Sequence, residues 1–233
     1  MTALGDSPAD IPHKPAAIVA AMRMELAPLL DKRQPRKVNG VALFNLEWAV
    51  VAIGGMGEYC ARHAAETVIA EFQPRLLVSA GIAGAISSML KVGDVGRIRE
   101  VVEVATGQRY PTNSGEWVLV TVPEVSHPAG KRELRARFGA DVVDMEAAAV
   151  AQVAQQRGVG FAAVKSVSEE AGFKLPPLQR FIGPNGRFHS GRFLFYVALR
   201  PHWWPALARM RKNTTIAATN LCYALEHLLV DSG

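Results

Sequence analysis

Short apolar runs alternate along this chain with segments of helical periodicity, and this alternation limits the fold more than any other feature. Residues 16–21 and 76–80 are almost wholly apolar, which is typical of strands covered on both faces of a sheet. Residues 161–167 are expected to form the last core strand. Residues 57–72, and the segment that ends before Gly158, carry apolar side chains at helical spacing. The order predicts an α/β fold, a three-layer α/β/α sandwich with a central mixed, largely parallel sheet.

Turns and element ends refine this prediction. Glycine-rich turns are expected at residues 54–57 and 81–84, and residues 110–115 read as a loop. Asp144 is a plausible N-cap of the helix that ends before Gly158, and Asn213 is the expected start of a final helix. Further strands are expected at 41–46, 48–53, 117–122 and 141–143, and residues 92–104 are expected to form one or two strands.

Length and composition favour one domain. With 233 residues, 49% of them hydrophobic, the chain can bury one substantial core. We expect a disordered tail at 1–14 and a single domain over 15–233, with 173–213 as a basic aromatic C-terminal extension. The two cysteines lack metal-site spacing and are expected to be buried thiols. No apolar run is long enough for a signal-peptide core or a membrane span, so a cytoplasmic protein is predicted.

The extension is chemically distinct from the rest of the chain. Residues 171–225 contain eight Lys and Arg residues and no Asp or Glu, so the net charge of +5 leaves −3 for the remainder. Aromatic side chains are interleaved with these cations, among them Trp203 and Trp204. One interpretation is that they pack on the core. A second is that residues 187–212 contact an anionic membrane surface, namely the inner membrane face. A third is that the segment binds nucleic acid, because arginines can follow phosphates while aromatic rings stack on bases.

Carboxylates follow three of the predicted strands at their carboxyl ends, where α/β folds place their sites. Glu25 follows the first strand, Glu146 follows 141–143, and Glu169 with Glu170 follows 161–167. Each glutamate alone is more simply explained as a helix-start residue, which the helix dipole favours. Three such positions beside two glycine-rich turns indicate a candidate active site.

Five stretches, in order, resemble motifs of the purine nucleoside phosphorylase and methylthioadenosine/S-adenosylhomocysteine nucleosidase superfamily. They span roughly residues 16–172 and read AAMRMELAPLL, GGMG, SAGIAGAISSMLKVGDV, VDMEAAAVA and VKSVSEEA. The resemblance implies cleavage of the N-glycosidic bond of an adenine nucleoside. It also implies a homo-oligomer, a small-molecule nucleoside substrate, no nucleic-acid partner, and no metal or other cofactor.

The same resemblance implies residue roles. Glu25 would activate the nucleophile, and Glu169 would protonate the leaving base as the general acid. Glu169 stands where the family usually has Asp, so the neighbouring Glu170 is the alternative acid. Glu146 would accept hydrogen bonds from the ribose hydroxyls, and Ser168 would orient the acid. The remaining expected substrate-binding residues are Met145, Gly55, Gly81, Ile82 and Ala83; Ile82 replaces a hydroxyl residue of many relatives.

The nucleophile and the 5′ substituent stay open at this point. Retention of Glu25 favours water, whereas phosphate as a co-substrate would make the protein a phosphorylase. The stretches LPPLQRF and LRPHWWPALARMRKN resemble the hopanoid-biosynthesis branch of the superfamily, which implies a lipid-linked nucleoside, adenosylhopane. The alternatives are a soluble methylthioadenosine/S-adenosylhomocysteine nucleosidase and a non-enzymatic nucleoside- or membrane-binding module.

Overall fold

The computed structural model describes most of the chain from Pro15 to Val230. The described residues are 15–112, 114–124, 127–173, 178–181, 183, 189, 192–193, 195–196 and 199–230. The predicted tail at 1–14 and part of the extension at 173–213 lie outside them.

The described strands form one ten-stranded mixed sheet. Its centre is a parallel group in the order β4-β1-β5-β10, so the carboxyl ends of these strands meet at one edge. The strands are β1 Ala16–Ala20, β2 Arg36–Val38, β3 Val41–Asn45, β4 Ala49–Ile53, β5 Leu76–Ala85, β6 Val95–Glu103, β7 Arg109–Pro111, β8 Trp117–Thr121, β9 Val142–Asp144 and β10 Gly160–Glu169.

Five strands close into a ring, which the sequence did not predict. Strand β10 pairs with both β5 and β6, β6 pairs with β8, and β9 pairs with β8 and returns to β5. Because β9 runs antiparallel to β5, its carboxyl end points back along β5 and toward the carboxyl end of β1. The ring therefore brings the residues after β9 to the same edge as those after β1 and β10.

Helices cover both faces of the sheet, and β1 shows why. Its side chains alternate in the manner of any strand: Ala17 and Val19 pack into a core with the helices α2 and α4. Ile18 and Ala20 pack into a second core with α1 and α5. The α-helices in the described part of the chain include α1 Ala27–Leu30, α2 Glu58–Phe72, α3 Pro128–Phe138, α4 Ala147–Arg157 and α5 Trp204–Val230. Short 3-10 turns lie at Arg23–Leu26, before α1, and at Leu178–Phe181 and Pro201–Trp203.

This architecture confirms the predicted α/β class with a mixed sheet, and the buried state of Cys60 and Cys222. Three local predictions were wrong. Residues 81–84 continue β5 instead of forming a turn, and Arg109–Pro111 is a strand that pairs with β6. The final helix begins at Trp204, not Asn213, because Pro205 suits the first turn of a helix and nothing in 206–213 interrupts it.

Candidate active site

Glu25 lies in the 3-10 turn that follows β1 and is 4% exposed. Its Oε2 accepts hydrogen bonds from the backbone N–H groups of Ala21 and Met22, at 3.0 and 2.9 Å. Its Oε1 accepts one from the N–H of Ile82 on β5, at 3.3 Å. A Cβ on Gly81 would lie 3.2 Å from the same oxygen. The residues that follow β1, together with Ile82 of β5, therefore hold this carboxylate in one position.

Glu146 lies directly after β9, at the N-cap of α4. Its Oε1 accepts a hydrogen bond of 2.7 Å from the N–H of Gly57, and Oε2 accepts one of 3.2 Å from the N–H of Met145. Gly57 has a φ of +88°, which glycine adopts readily, and α2 begins at the next residue. The glycine turn after β4 thus presents a helix-start N–H to the carboxylate, a favourable arrangement for an anion.

Asp144 and Lys165 form a buried ion pair beneath these two glutamates. The Nζ of Lys165, on β10, lies 2.9 Å from Asp144 Oδ2, and the side chains are 3% and 1% exposed. Lys165 also donates to Ser79 Oγ at 3.2 Å. Asp144 accepts from Thr121 Oγ1 at 2.7 Å and from the N–H of Ala147 at 3.0 Å. The expected capping contact to α4 is therefore present, although Glu146 occupies the N-cap itself.

The protonation of this cluster follows from its burial and its charges. Burial raises the pKa of Glu25. Burial and then the negative charge of Asp144 raise the pKa of Glu146 to about 7, against the opposing hydrogen bond from Gly57. Burial lowers the pKa of Lys165, but the carboxylates around it, Asp144 foremost, outweigh burial and raise it overall. The cluster therefore keeps a cationic lysine and retains a carboxyl proton near neutral pH.

Glu169 is the last residue of β10. Its Oε2 accepts a hydrogen bond from Ser168 Oγ, and its Oε1 lies 3.4 Å from the Nζ of Lys131, on α3. Lys131 is 2% exposed and Glu169 is 14% exposed at the side chain. The carboxyl group is thus held between a hydroxyl donor and an ammonium group.

The three carboxylates share one cavity of about 370 Å³. Glu25, Glu146 and Glu169 all line it, together with Met145, Ile82 and Ala83. We call this the main cavity; its other described lining residues are Ala21, Met22, Met24, Met56, Gly84, Val122, Glu124, Lys131, Val143, Asp144, Ser168, Phe193, Met210 and Thr214. A second cavity of about 10 Å³ lies beside it, between Glu25, Glu146 and Lys165.

Three predicted site residues lie outside the main cavity. Glu170 has a side chain that is 56% exposed and pairs with Lys91 at 4.0 Å, outside the main cavity. Gly55 does not line the cavity but donates its N–H to the carbonyl of Ala21, at 3.0 Å, and so joins the glycine turn to the residues that hold Glu25. Gly81 lines only the small cavity.

Sequence reasoning missed both lysines of the site. Lys165 had a usable signal, since a lysine within an otherwise apolar strand is buried only when it is paired. Lys131 had none: it lies in a charged helix, KRELRARF, whose pattern does not show which residue points inward. Among the described residues, no group of three or more His, Cys, Asp or Glu side chains is arranged to hold a metal ion.

Comparison of the chain with known proteins finds one matching family. The model of the phosphorylase superfamily matches residues 15–129 and 99–177, a span that contains Glu25, Glu146, Glu169 and both lysines.

Individual relatives agree with the family model. A 5′-methylthioadenosine/S-adenosylhomocysteine nucleosidase of a Geobacillus species is 27% identical over 200 residues, which cover 67% of this chain and 85% of the relative. Futalosine hydrolase of Helicobacter pylori has a similar structure, with a TM-score of 0.67, 18% identity, and coverage of 93% of this chain and 99% of that one. A methylthioadenosine/S-adenosylhomocysteine nucleosidase of Colwellia psychrerythraea, solved with adenine, gives a TM-score of 0.66 at 21% identity, over 90% and 91% of the two chains.

Proposed function

Since the chain belongs to the phosphorylase superfamily, we propose that it hydrolyses the N-glycosidic bond of an adenine nucleoside and releases adenine. The observation that carries this proposal is the meeting of Glu25, Glu146 and Glu169 in one cavity, each on a different strand end. The Geobacillus relative is named a nucleosidase, and the Colwellia relative was solved with adenine, which supports the same chemistry.

In the proposed reaction, each carboxylate has one task. Glu146 accepts hydrogen bonds from the ribose hydroxyls, and Glu25 takes the proton of the attacking water. The water oxygen bonds to C1′ as the C1′–N9 bond breaks, and the electron pair of that bond remains with adenine. Adenine takes up a proton at N7 on the Glu169 side. Acid and base thus act from opposite faces of the sugar, as in inverting glycosidases.

Water is the proposed nucleophile in preference to phosphate. The small cavity beside Glu25, about 10 Å³, is at the lower limit for one water molecule. A phosphate site calls for converging arginines, and no arginine lines the main cavity among the described residues. Arg23 instead donates to the carbonyls of Leu30 and Arg33, and Arg62 pairs with Glu58.

The proposed 5′ substituent is apolar, as in adenosylhopane. Five of the seven methionines of the chain line the main cavity, namely Met22, Met24, Met56, Met145 and Met210. Flexible thioether side chains fit irregular apolar groups well. Phe193 and Met210 come from the basic aromatic extension, so the segment that we propose for membrane contact also forms a wall of the site.

Adenine release tests this proposal. We expect release from adenosylhopane and from adenosines with long 5′-alkylthio chains, at rates that do not change when phosphate is removed. Glu25→Gln and Glu146→Gln should lower kcat by about 100-fold or more, whereas Glu133→Gln, at an exposed position of α3, should not. Dependence on phosphate would make the protein a phosphorylase, and no release from any of these substrates by folded protein would refute the proposal.

A soluble methylthioadenosine/S-adenosylhomocysteine nucleosidase is the second candidate, because the Geobacillus relative carries that name. The two candidates differ in how the specificity constant depends on the 5′ chain. A kcat/KM that rises with chain length supports the apolar substrate. A kcat/KM that is highest for the methylthio compound supports the second candidate.

A further inference from the structure

Lys131 is the only cationic side chain among the described residues that line the main cavity, and the proposed reaction has so far given it no task. It comes from α3. Its side chain is 2% exposed, and its Nζ lies 3.4 Å from Glu169 Oε1. A buried ammonium group is costly unless the fold compensates for it, so its presence at this point calls for a reason.

Lys131 shares the main cavity with several carboxyl groups. Glu169 faces it from β10, and the other charged groups of the main cavity are the carboxyl groups of Glu25, Glu124, Asp144 and Glu146. Lys131 and Glu169 form an ion pair within this acidic cavity, and the ammonium group of the pair carries a proton that can be transferred.

The geometry leaves that proton available. A lysine ammonium has three N–H groups, and Glu169 accounts for one of them. The distance of 3.4 Å exceeds the 2.7–2.9 Å or so of a tight charge-assisted hydrogen bond. The pair lies over Gly84 of β5, where a Cβ would be 2.8 Å from the lysine Nζ. The absence of a side chain at this position makes room for the pair at the cavity wall.

We propose that Lys131 supplies the proton that the leaving adenine takes up, with Glu169 passing it on; this rests on the proposed function. As the C1′–N9 bond breaks, N7 of adenine takes a proton from the Glu169 carboxyl group, which takes one from Lys131 Nζ. Glu169 ends as a carboxylate again and Lys131 as a neutral amine, which solvent reprotonates after adenine leaves. The proton of the attacking water ends on Glu25, so charge and atoms balance.

Two substitutions separate proton supply from charge. Lys131→Arg keeps the positive charge but cannot release a proton, because guanidinium stays protonated in proteins. Lys131→Met removes both. Each variant is assayed on a 5′-alkylthioadenosine and on a 4-nitrophenyl riboside with the same 5′ group, whose leaving group departs as a stable anion. Lys37, exposed on β2, provides matched control variants, Lys37→Arg and Lys37→Met.

We expect both Lys131 variants to lose about 100-fold or more in kcat for adenine release and to keep kcat for nitrophenol release within about threefold of wild type. Adenine release at the wild-type rate by Lys131→Arg would show that charge alone suffices and would overturn the proposal. Equal losses on both substrates would also overturn it, in favour of a structural role. If the wild-type protein releases nitrophenol but no adenine, the proposed function itself fails, which is a distinct result.

Discussion

Four ionisable side chains lie together at the cavity: Glu25, Asp144 and Lys165 are buried, and Glu146 is half-buried beside them. Three acids and one base cannot all be charged there without a large desolvation cost, because burial disfavours every charged form. The cluster responds by raising the pKa of both glutamates. Groups with perturbed pKa values concentrate at functional sites. A carboxyl group whose pKa is near 7 can take up and release a proton at neutral pH.

The first prediction concerns how Glu146 lowers the free energy of unfolding at neutral and higher pH. Its raised pKa, about 7 against an ordinary 4.5, means that the folded protein binds this proton more tightly than the unfolded chain does. The stability that this group contributes is therefore lost as the pH rises from 4.5, its ordinary pKa, to about 7. We expect Glu146→Gln to be up to about 3 kcal/mol more stable than wild type at about pH 8, with no gain near pH 4. Urea unfolding of both proteins at the two pH values measures this; a gain that is the same at both would contradict it.

The second prediction concerns the pair of Lys165 and Asp144. Removing one member of a buried ion pair leaves an uncompensated charge. We expect Lys165→Met to lower the free energy of unfolding by about 3–5 kcal/mol, and Lys165→Met with Asp144→Asn to recover most of that loss. Denaturant unfolding at neutral pH measures both. Additive losses in the double variant would mean that the two side chains act independently.

At the scale of elements, the position of the residues that follow β9 depends on a strand pairing that no local sequence pattern predicts. Strand β9 has only three residues, and it meets β5 and β8 in opposite directions. Strand β5 extends to Ala85 and includes the glycines at 81 and 84, where a Cβ would lie 3.2 Å from Glu25 Oε1 and 2.8 Å from Lys131 Nζ. Small residues that look like a turn in the sequence are here strand residues beside a site, a known alternative use of glycine.

The third prediction tests how α5 is attached to the sheet. Asn220 Nδ2 donates to the carbonyl of Gly93 at 2.8 Å, and a Cβ at Gly93 would lie 2.8 Å from Ile216 Cγ2. Gly93 also has a φ of +89°. We expect Gly93→Ala to lower the free energy of unfolding by about 2–4 kcal/mol, from backbone strain and from displacement of α5.

Gly107→Ala is the matched control for that experiment. Gly107 has a φ of +76°, but nothing lies within 4 Å of a Cβ there. The Gly107 variant therefore measures the effect of backbone strain without a steric clash. Thermal denaturation of both variants separates the two contributions. A Gly93 variant no less stable than the Gly107 variant would mean that the contact with α5 is unimportant.

At the scale of the whole molecule, one helix connects the cavity with a basic apolar surface. Helix α5 contributes Met210 to the cavity wall and carries the exposed cations Arg209, Arg211 and Lys212. The exposed apolar side chains of Phe195, Leu199 and Trp204 lie at or just before its start, at 70%, 64% and 55% exposure. Among the described residues, no helix is long and apolar enough to cross a membrane. Contact with an anionic lipid surface and assembly into a homo-oligomer both remain predictions.

The fourth prediction tests that surface. We expect the protein to float with vesicles of anionic lipid and to bind less as salt rises, because attraction to a charged surface is screened. Replacing Trp204, Arg209 and Arg211 together should reduce binding, whereas replacing Arg36, Lys37 and Arg157, which are exposed elsewhere, should not. Equal binding of both triple variants, or none by wild type at low salt, would contradict the membrane prediction and leave packing on the core as the role of this segment.

Much of the fold and part of the site could be predicted from sequence because they depend on local periodicity. The apolar runs determined the class of fold and the parallel centre of the sheet. The strand ends placed Glu25, Glu146 and Glu169 at one edge, where the structure brings them into one cavity. The roles implied by the resemblance to the superfamily are still predictions, to be tested by the variants above.

The tertiary structure alone decided the closure of the ring, the exclusion of Glu170 from the cavity, and the partners of both lysines. These features join residues far apart in sequence: 38 positions separate Lys131 from Glu169 and 89 separate Gly57 from Glu146. No local pattern reports which distant carboxylate a lysine meets, since that depends on how strands pair across the sheet. The sequence therefore determined which chemical groups the site has, and strand pairing determined their charge state and their neighbours.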